Sequence, residues 1–156
     1  MITNIWIANY KSFGEDFSLE LAPFSVFIGP NAAGKTNFVD AFRFIKESIR
    51  EDIAVAANRR AGWSGIRCRK KRSPKVSFGL KGVHSGEIEV EEENIRFGKL
   101  RSEIAFSFQH RGKDDAYILT DEEATLWGTR LDNGPREEKI SSFLRTKREV
   151  SLHEPF

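Results

Sequence analysis

The sequence predicts an α/β fold: a mixed sheet with N-terminal strands, one long helix after a glycine-containing loop, and an antiparallel subsheet. Three observations carry that prediction. An apolar run, FSVFIG at 24–29, stops at Gly29-Pro30, and from Thr36 apolar residues recur at helical spacing. Downstream, short alternating segments follow one another with gaps too short to hold crossover helices. The 156 residues, 39% of them hydrophobic, suffice for one domain with its own core and are too few for two.

The elements follow in chain order. Residues 2–10 (ITNIWIANY) and 17–21 (FSLEL) alternate apolar and polar positions, as half-buried strands do. FSVFIG is nearly continuous in its apolar residues, the pattern of a strand buried on both faces. Phe38, Ala41/Phe42, Ile45 and Ile49 form one helical stripe, which predicts a helix running to about Ala57. GWSG (62–65) and Ser73-Pro74 read as a loop. KVSFGL (75–80), EIEVE (87–91), EIAFSFQ (103–109) and DAYILT (115–120) read as the antiparallel set, and 136–150 as a weakly amphipathic helix. The chain thus divides into strands, loop and first helix (1–57), a basic loop region (58–86), the subsheet (87–135) and a helical tail (136–156), all within one lobe.

Composition excludes several classes. One Cys rules out an internal disulfide framework and suits a reducing compartment. No apolar run approaches the ~20 residues that span a bilayer, and the N-terminus lacks a basic leader followed by an apolar stretch. The expectation is a cytoplasmic protein without a membrane partner. His84, His110 and His153 show no metal-ligand spacing, and Cys68 has neither His nor a second Cys nearby.

Gly29-Pro30-Asn31-Ala32-Ala33-Gly34-Lys35-Thr36 fits G-x-x-x-x-G-K-[ST] at each fixed position. A loop that leaves a strand and enters a helix can wrap its N–H groups around a phosphate and add the positive end of the helix dipole. Gly34 permits close approach and backbone angles that a side chain resists. Lys35 is expected to reach the β- and γ-phosphates and the Thr36 hydroxyl to coordinate Mg²⁺. A lysine at a helix start also asks for an anion, because the dipole opposes it. The fold expected is therefore that of a P-loop NTPase, a phosphate loop of the Walker A kind.

With this motif in place, the first fifty residues resemble the opening of the ABC-type ATPase heads of the RecF/Rad50/SMC group, especially the small ATPases related to the OLD family. The matching pieces are Asn9-Tyr10-Lys11-Ser12-Phe13, Gly29 to Thr36, and Asn37-Phe38-Val39-Asp40-Ala41. The resemblance implies ATP with Mg²⁺ and nucleotide-dependent pairing with a second head. It also implies work on DNA, such as repair, chromosome handling or anti-phage defence. By matching position it puts Lys11 and Ser12 near the nucleotide, with Asn37 beside the loop, and gives Asn31 the shaping of the loop; an ordinary solvated lysine at a strand end is the equal alternative for Lys11.

Such a head also needs a Leu-Ser-Gly-Gly-like signature loop, a strand ending in Asp-Glu, and a switch His. No Leu-Ser-Gly-Gly-like run occurs. Tyr117-Ile118-Leu119-Thr120-Asp121-Glu122 has two readings. In one, Asp121 holds Mg²⁺, Glu122 activates water as the catalytic carboxylate and His153 meets the γ-phosphate. In the other, a strand runs into a turn and short helix with solvated carboxylates. The second is favoured, because Thr120 interrupts the apolar run and Glu123 continues the acids. The chain then reads as the N-terminal part of a longer ATPase, its partner being a second head or a C-terminal lobe.

Charge placement gives the last clue. Arg59, Arg60, Arg67, Arg69, Lys70, Lys71, Arg72, Lys75 and Lys81 lie in a stretch, 53–86, without one acid, and Glu87, Glu89, Glu91, Glu92 and Glu93 follow at once. The block offers contacts to DNA phosphates, and a solvated loop partly pairing with the acidic strand is the slightly favoured alternative. Gln109, after an apolar strand, reads as a surface residue. The rival function is a nucleic-acid-binding or scaffold module whose phosphate loop is vestigial. A small P-loop kinase would need an acceptor site and a lid, and the sequence shows neither.

Overall fold

A computed structural model describes residues 1–14, 16–70, 73–90, 95–112, 116–131, 134 and 136–150. It is a mixed α/β structure in which helices cover one face of an antiparallel sheet. Strands β1 (Ile2–Ala8) and β2 (Phe17–Glu20) precede helices α1 (Lys35–Arg50), α2 (Ile53–Asn58) and α3 (Gly62–Ile66). Strands β3 (Lys75–His84), β4 (Ile88–Val90), β5 (Ile95–Arg111), β6 (Ala116–Arg130) and β7 (Glu137–Val150) follow. The sheet order is β2-β1-β3-β5-β6-β7, with β4 on β5. No described helix is long and apolar enough to cross a membrane.

Strand alternation works as the sequence indicates. Ile5 and Ile7 of β1, Val76 and Phe78 of β3, Phe106 and Phe108 of β5, and Tyr117 and Leu119 of β6 point into the core. Phe38, Ala41, Phe44 and Ile45 of α1 meet them. Phe44 lies at the centre, its ring 5.4 Å from Tyr10 and Phe78 and 5.6 Å from Phe108. Burying a side chain of this size is worth about 1.5–3 kcal/mol. A second cluster, Ile95, Phe97 and Leu100 with Leu126 and Ile140, closes the far end of the β5–β6 ribbon. There Gly128 is required by contact: a Cβ on it would come within 2.8 Å of the Phe97 Cβ.

Five expectations need correction. The 24–29 segment is not a strand. Phe24, Val26 and Ile28 are 83%, 67% and 93% exposed, and only Phe27 packs, its ring 4.6 Å from Phe38. An apolar run becomes a buried strand only where neighbours pair with it, and among the described residues none does. Consequently every pairing between described strands is antiparallel, and the parallel part of a mixed sheet is not formed by them.

The single helix to Ala57 is two. Asp52 adopts an extended backbone and its side chain accepts the Ala54 N–H, capping α2, and Ile49, near the end of α1, is 62% exposed. GWSG belongs to a short helix, α3, not a loop. The expected 136–150 helix is strand β7, because the open edge of β6 supplies a full ladder from Thr129 to Tyr117. Weak helical amphipathicity loses to those backbone bonds. Last, Asp121, Glu122 and Glu123 lie in the middle of β6 opposite Ser107, Phe106 and Ala105, neither at a strand end nor in a turn.

Candidate functional site

Backbone chemistry builds the loop at 29–36. Ala32 and Gly34 take left-handed angles (φ 64° and 93°), and Ala33 N–H donates to the Pro30 carbonyl at 3.3 Å. Gly34 is the N-cap of α1 and offers no side-chain cap. The helix ladder starts with Phe38 N–H to the Gly34 carbonyl at 2.9 Å, so the amides of Lys35, Thr36 and Asn37 have no acceptor within the helix. The first turn holds no acid, and Asn31, Ala32, Ala33 and Thr36 are exposed above it. The Lys35 ammonium curls back and donates to the Gly29 and Pro30 carbonyls at 2.6 and 2.7 Å. The loop is thus a cluster of donors and one cation at the positive end of a helix of 16 residues.

The Asn9–Phe13 turn covers one side of this loop. Asn37 Nδ2 donates to Ser12 Oγ at 2.9 Å, and that oxygen lies 3.0 Å from the place a Gly34 Cβ would take. Glycine at 34 is therefore required twice, by its φ and by Ser12. Lys11 reaches away from the loop to Asp40, Nζ to Oδ2 2.5 Å.

Asp40 is the centre of a network that sequence reasoning missed. It accepts the Tyr10 hydroxyl at 2.6 Å and Arg60 Nε at 3.0 and 3.1 Å on its two oxygens. Arg60, its side chain only 9% exposed, also donates to Glu47 at 2.5 Å and to the Ala56 carbonyl at 2.7 Å. The available signal was Asp40 and Glu47 flanking Phe44 on the buried side of the helix, where charge demands a partner. Burial pushes the Asp40 carboxyl up, yet the bonds from Lys11 and Tyr10 and the Arg60 charge outweigh it and hold it below the usual carboxylate value. The Arg60 hydrogen bond does the same for Glu47, while burial, then the Asp40 bond, pushes the Tyr10 phenol far up.

The basic residues divide. Arg59 is paired with Glu51 at 2.7 Å, Arg60 is buried as above, Lys75 meets Asp121 at 3.0 Å and Lys81 meets Glu103 at 3.1 Å. Arg67, Arg69 and Lys70 instead line a cavity of about 400 Å³ together with Lys11, Ser12 and Asn37. The backbone explains it: Lys11 N–H donates to the Ile66 carbonyl at 2.7 Å and Cys68 N–H to the Asn9 carbonyl at 2.9 Å, stitching the basic segment to the turn. Lys71, Arg72 and His153 lie outside the described residues.

Asp121 is held low by Lys75, and neither it nor Glu122 lines the cavity formed by Lys11, Ser12, Asn37 and the basic segment. The structure does not bring them to the phosphate loop. Gln109 sits in the β5 ladder between Lys75 and Ile118. His84 pairs with Ser102 at 2.9 Å, His110 stacks on Trp63, and Cys68 is buried. Among the described residues no three His, Cys, Asp or Glu side chains gather as metal ligands.

A family model described as an AAA ATPase domain matches residues 1–152. No curated protein and no solved structure matches the chain. The family match takes in the loop, the turn over it and the whole sheet. It agrees with the N-terminal part of an ABC-type head, a nucleotide-binding ATPase class: the chain belongs to the AAA ATPase domain family.

Proposed function

We propose that the chain binds ATP with Mg²⁺ through Gly29–Thr36 and acts as the N-terminal portion of an ABC-type ATPase. The observation that carries this is the uncapped, acid-free first turn of α1, entered through left-handed Gly34 and carrying Lys35 and Thr36. Its donors suit a polyphosphate, and the exposed Thr36 hydroxyl suits the metal. Bound Mg²⁺ would neutralise phosphate charge. Lys35 would exchange its two carbonyl acceptors for phosphate oxygens, and Asn37 and Ser12 would keep the loop open.

Hydrolysis would draw its water-activating carboxylate and signature loop from a second lobe or head, since Glu122 and Asp121 lie mid-strand in β6. The exposed apolar segment at 24–28 supports such a lobe adding strands beside it. Nucleotide-dependent pairing of two heads follows from the same reading.

The test is MgATP titration of the protein and of Lys35→Ala. Loss of a hydrogen bond to a charged group, about 1.5–3 kcal/mol, predicts a 10- to 100-fold weaker variant. Equal binding, or none in either, points to a vestigial loop.

Work on DNA is the further part of the proposal, with repair, chromosome handling and anti-phage defence as the settings the resemblance offers. Arg67, Arg69 and Lys70, gathered at one cavity, favour it. If each contacts a duplex phosphate, log affinity falls with log salt at a slope of about −3. Replacing the three with Ala flattens that slope in a fluorescence titration of labelled duplex. A salt-independent interaction removes the DNA reading.

A further inference from the structure

We infer that Asp40 is a positioning residue for the nucleotide site, holding the Asn9–Phe13 turn so that Ser12 stays against Gly34. The inference rests on the nucleotide reading for its functional meaning and on the geometry of the turn for its substance.

The turn is not a conformation that its own residues favour. Asn9 and Lys11, neither of them glycine, both take left-handed angles, φ 58° and 48°. Such residues persist only where the surroundings over-determine them. Backbone bonds secure one flank: Asn9 N–H to the Gly14 carbonyl, and Lys11 and Cys68 N–H to the Ile66 and Asn9 carbonyls. The Asn9 side chain adds bonds to the Ser73 and Lys75 carbonyls at 2.9 and 2.7 Å. On the flank facing the phosphate loop, side chains of α1 hold those of Tyr10, Lys11 and Ser12.

Those α1 side chains are Asn37 and Asp40, three residues apart and so on one face of the helix. Asn37 holds Ser12, while Asp40 holds Tyr10 and Lys11, the two residues before it. Asp40 is itself fixed: Arg60 engages both its oxygens and is held in turn by Glu47 and the Ala56 carbonyl. The path runs from Glu47 through Arg60, Asp40, Tyr10 and Lys11 to Ser12, and ends in the 3.0 Å approach to Gly34. Asp40 touches no atom of the loop through any of these bonds. It sets where Ser12 stands, and Ser12 limits where the loop backbone can go.

Phosphate binding by backbone amides is sensitive to such placement, because a displacement near 1 Å in a preorganised site costs up to about 100-fold. The experiment uses the full chain with Asp40→Ala, Asp40→Asn, Tyr10→Phe and Ser12→Ala, reading MgATP affinity, amide hydrogen exchange and the urea midpoint. Asp40→Ala is expected to weaken MgATP about tenfold and to speed exchange at Lys11, Phe13 and Ala33, the hydrogen-bonded amides of the turn and the loop, with β5 and β6 exchanging as before. Adding Ser12→Ala to Asp40→Ala should cost less than Ser12→Ala costs alone, since both remove one constraint. Should Asp40→Ala fail to fold, Asp40→Asn, which keeps an acceptor for Arg60, and Tyr10→Phe carry the same readings.

A lowered urea midpoint with exchange at Lys11, Phe13 and Ala33 and MgATP affinity unchanged overturns the inference and leaves Asp40 a structural residue. If the unaltered protein does not bind MgATP, the nucleotide reading fails instead, and exchange at Lys11, Phe13 and Ala33 alone decides whether Asp40 positions the turn and the loop.

Discussion

Gly65→Ala is expected to destabilise the protein by about 3 kcal/mol or more, at the upper end of what overpacking costs. A Cβ at 65 would overlap the Arg60 carbonyl oxygen and stand 2.8 Å from the carbonyl carbon and 3.3 Å from the Ala61 Cβ. The first two are backbone atoms of the α2–α3 corner, and no rotamer change removes them. Relief would require α3 to move off that corner. It cannot do so freely, because Ile66 is fully buried in the core and the Trp63 ring packs 6.3 and 6.4 Å from Phe108 and Tyr117. The Ile66 carbonyl also holds Lys11 N–H, so the displacement would reach the turn over the phosphate loop. Urea unfolding measures the effect, and an unchanged midpoint would show that the corner has room the structure denies it.

Arg60→Met is the second large effect. It keeps the stem packed on Phe44, from whose ring centre the guanidinium carbon lies 5.4 Å, and removes the charge shared by Asp40 and Glu47. Breaking a buried ion pair by deleting one partner costs about 3–5 kcal/mol, because the remaining charges keep their desolvation penalty. Asp40 would retain Lys11 and Tyr10, which places the expected loss near the lower figure.

The pH dependence separates this from simple loss of packing. Asp40 and Glu47 are held below their ordinary values, so they contribute stability at pH above about 4 and lose it as pH falls through their lower folded values. The gap between the native protein and Arg60→Met should therefore be widest near neutrality and shrink below about pH 4. Tyr10 works in the opposite sense. Its pKa is raised, so its contribution is present below about pH 10 and declines above it as the unfolded phenol ionises. Urea midpoints from pH 2 to 11 read both limbs. A gap that stays constant into acid would mean that the carboxylates do not depend on Arg60.

How much of this is legible in the chain differs from element to element. Strands β1, β2 and β3 follow from alternation, since each has one face on the helices and one away from them. β7 is not legible, because KISSFLRTKREV carries no strong period of its own and the open edge of β6 decides its state. The exposed 24–28 segment misleads for the same reason. Its residues suit a strand with two neighbours, and the described strands place none there. The basic block is misread in part, since Arg59, Arg60 and Lys75 find acids 8, 20 and 46 residues away.

The sequence by itself determined the phosphate loop. Its positive φ at Gly34, its lysine and hydroxyl at a helix start and its unsatisfied amides are properties of eight adjacent residues, set by covalent neighbours and backbone sterics. Only the tertiary structure decided what stands around that loop: Ser12 against Gly34, Asp40 beneath Lys11, Arg60 buried between two acids, and Arg67, Arg69 and Lys70 at one cavity. These are pairings between residues far apart in the chain. Which partner a buried charge finds depends on how strands and helices dock, and that information is carried by the whole core and by no local pattern.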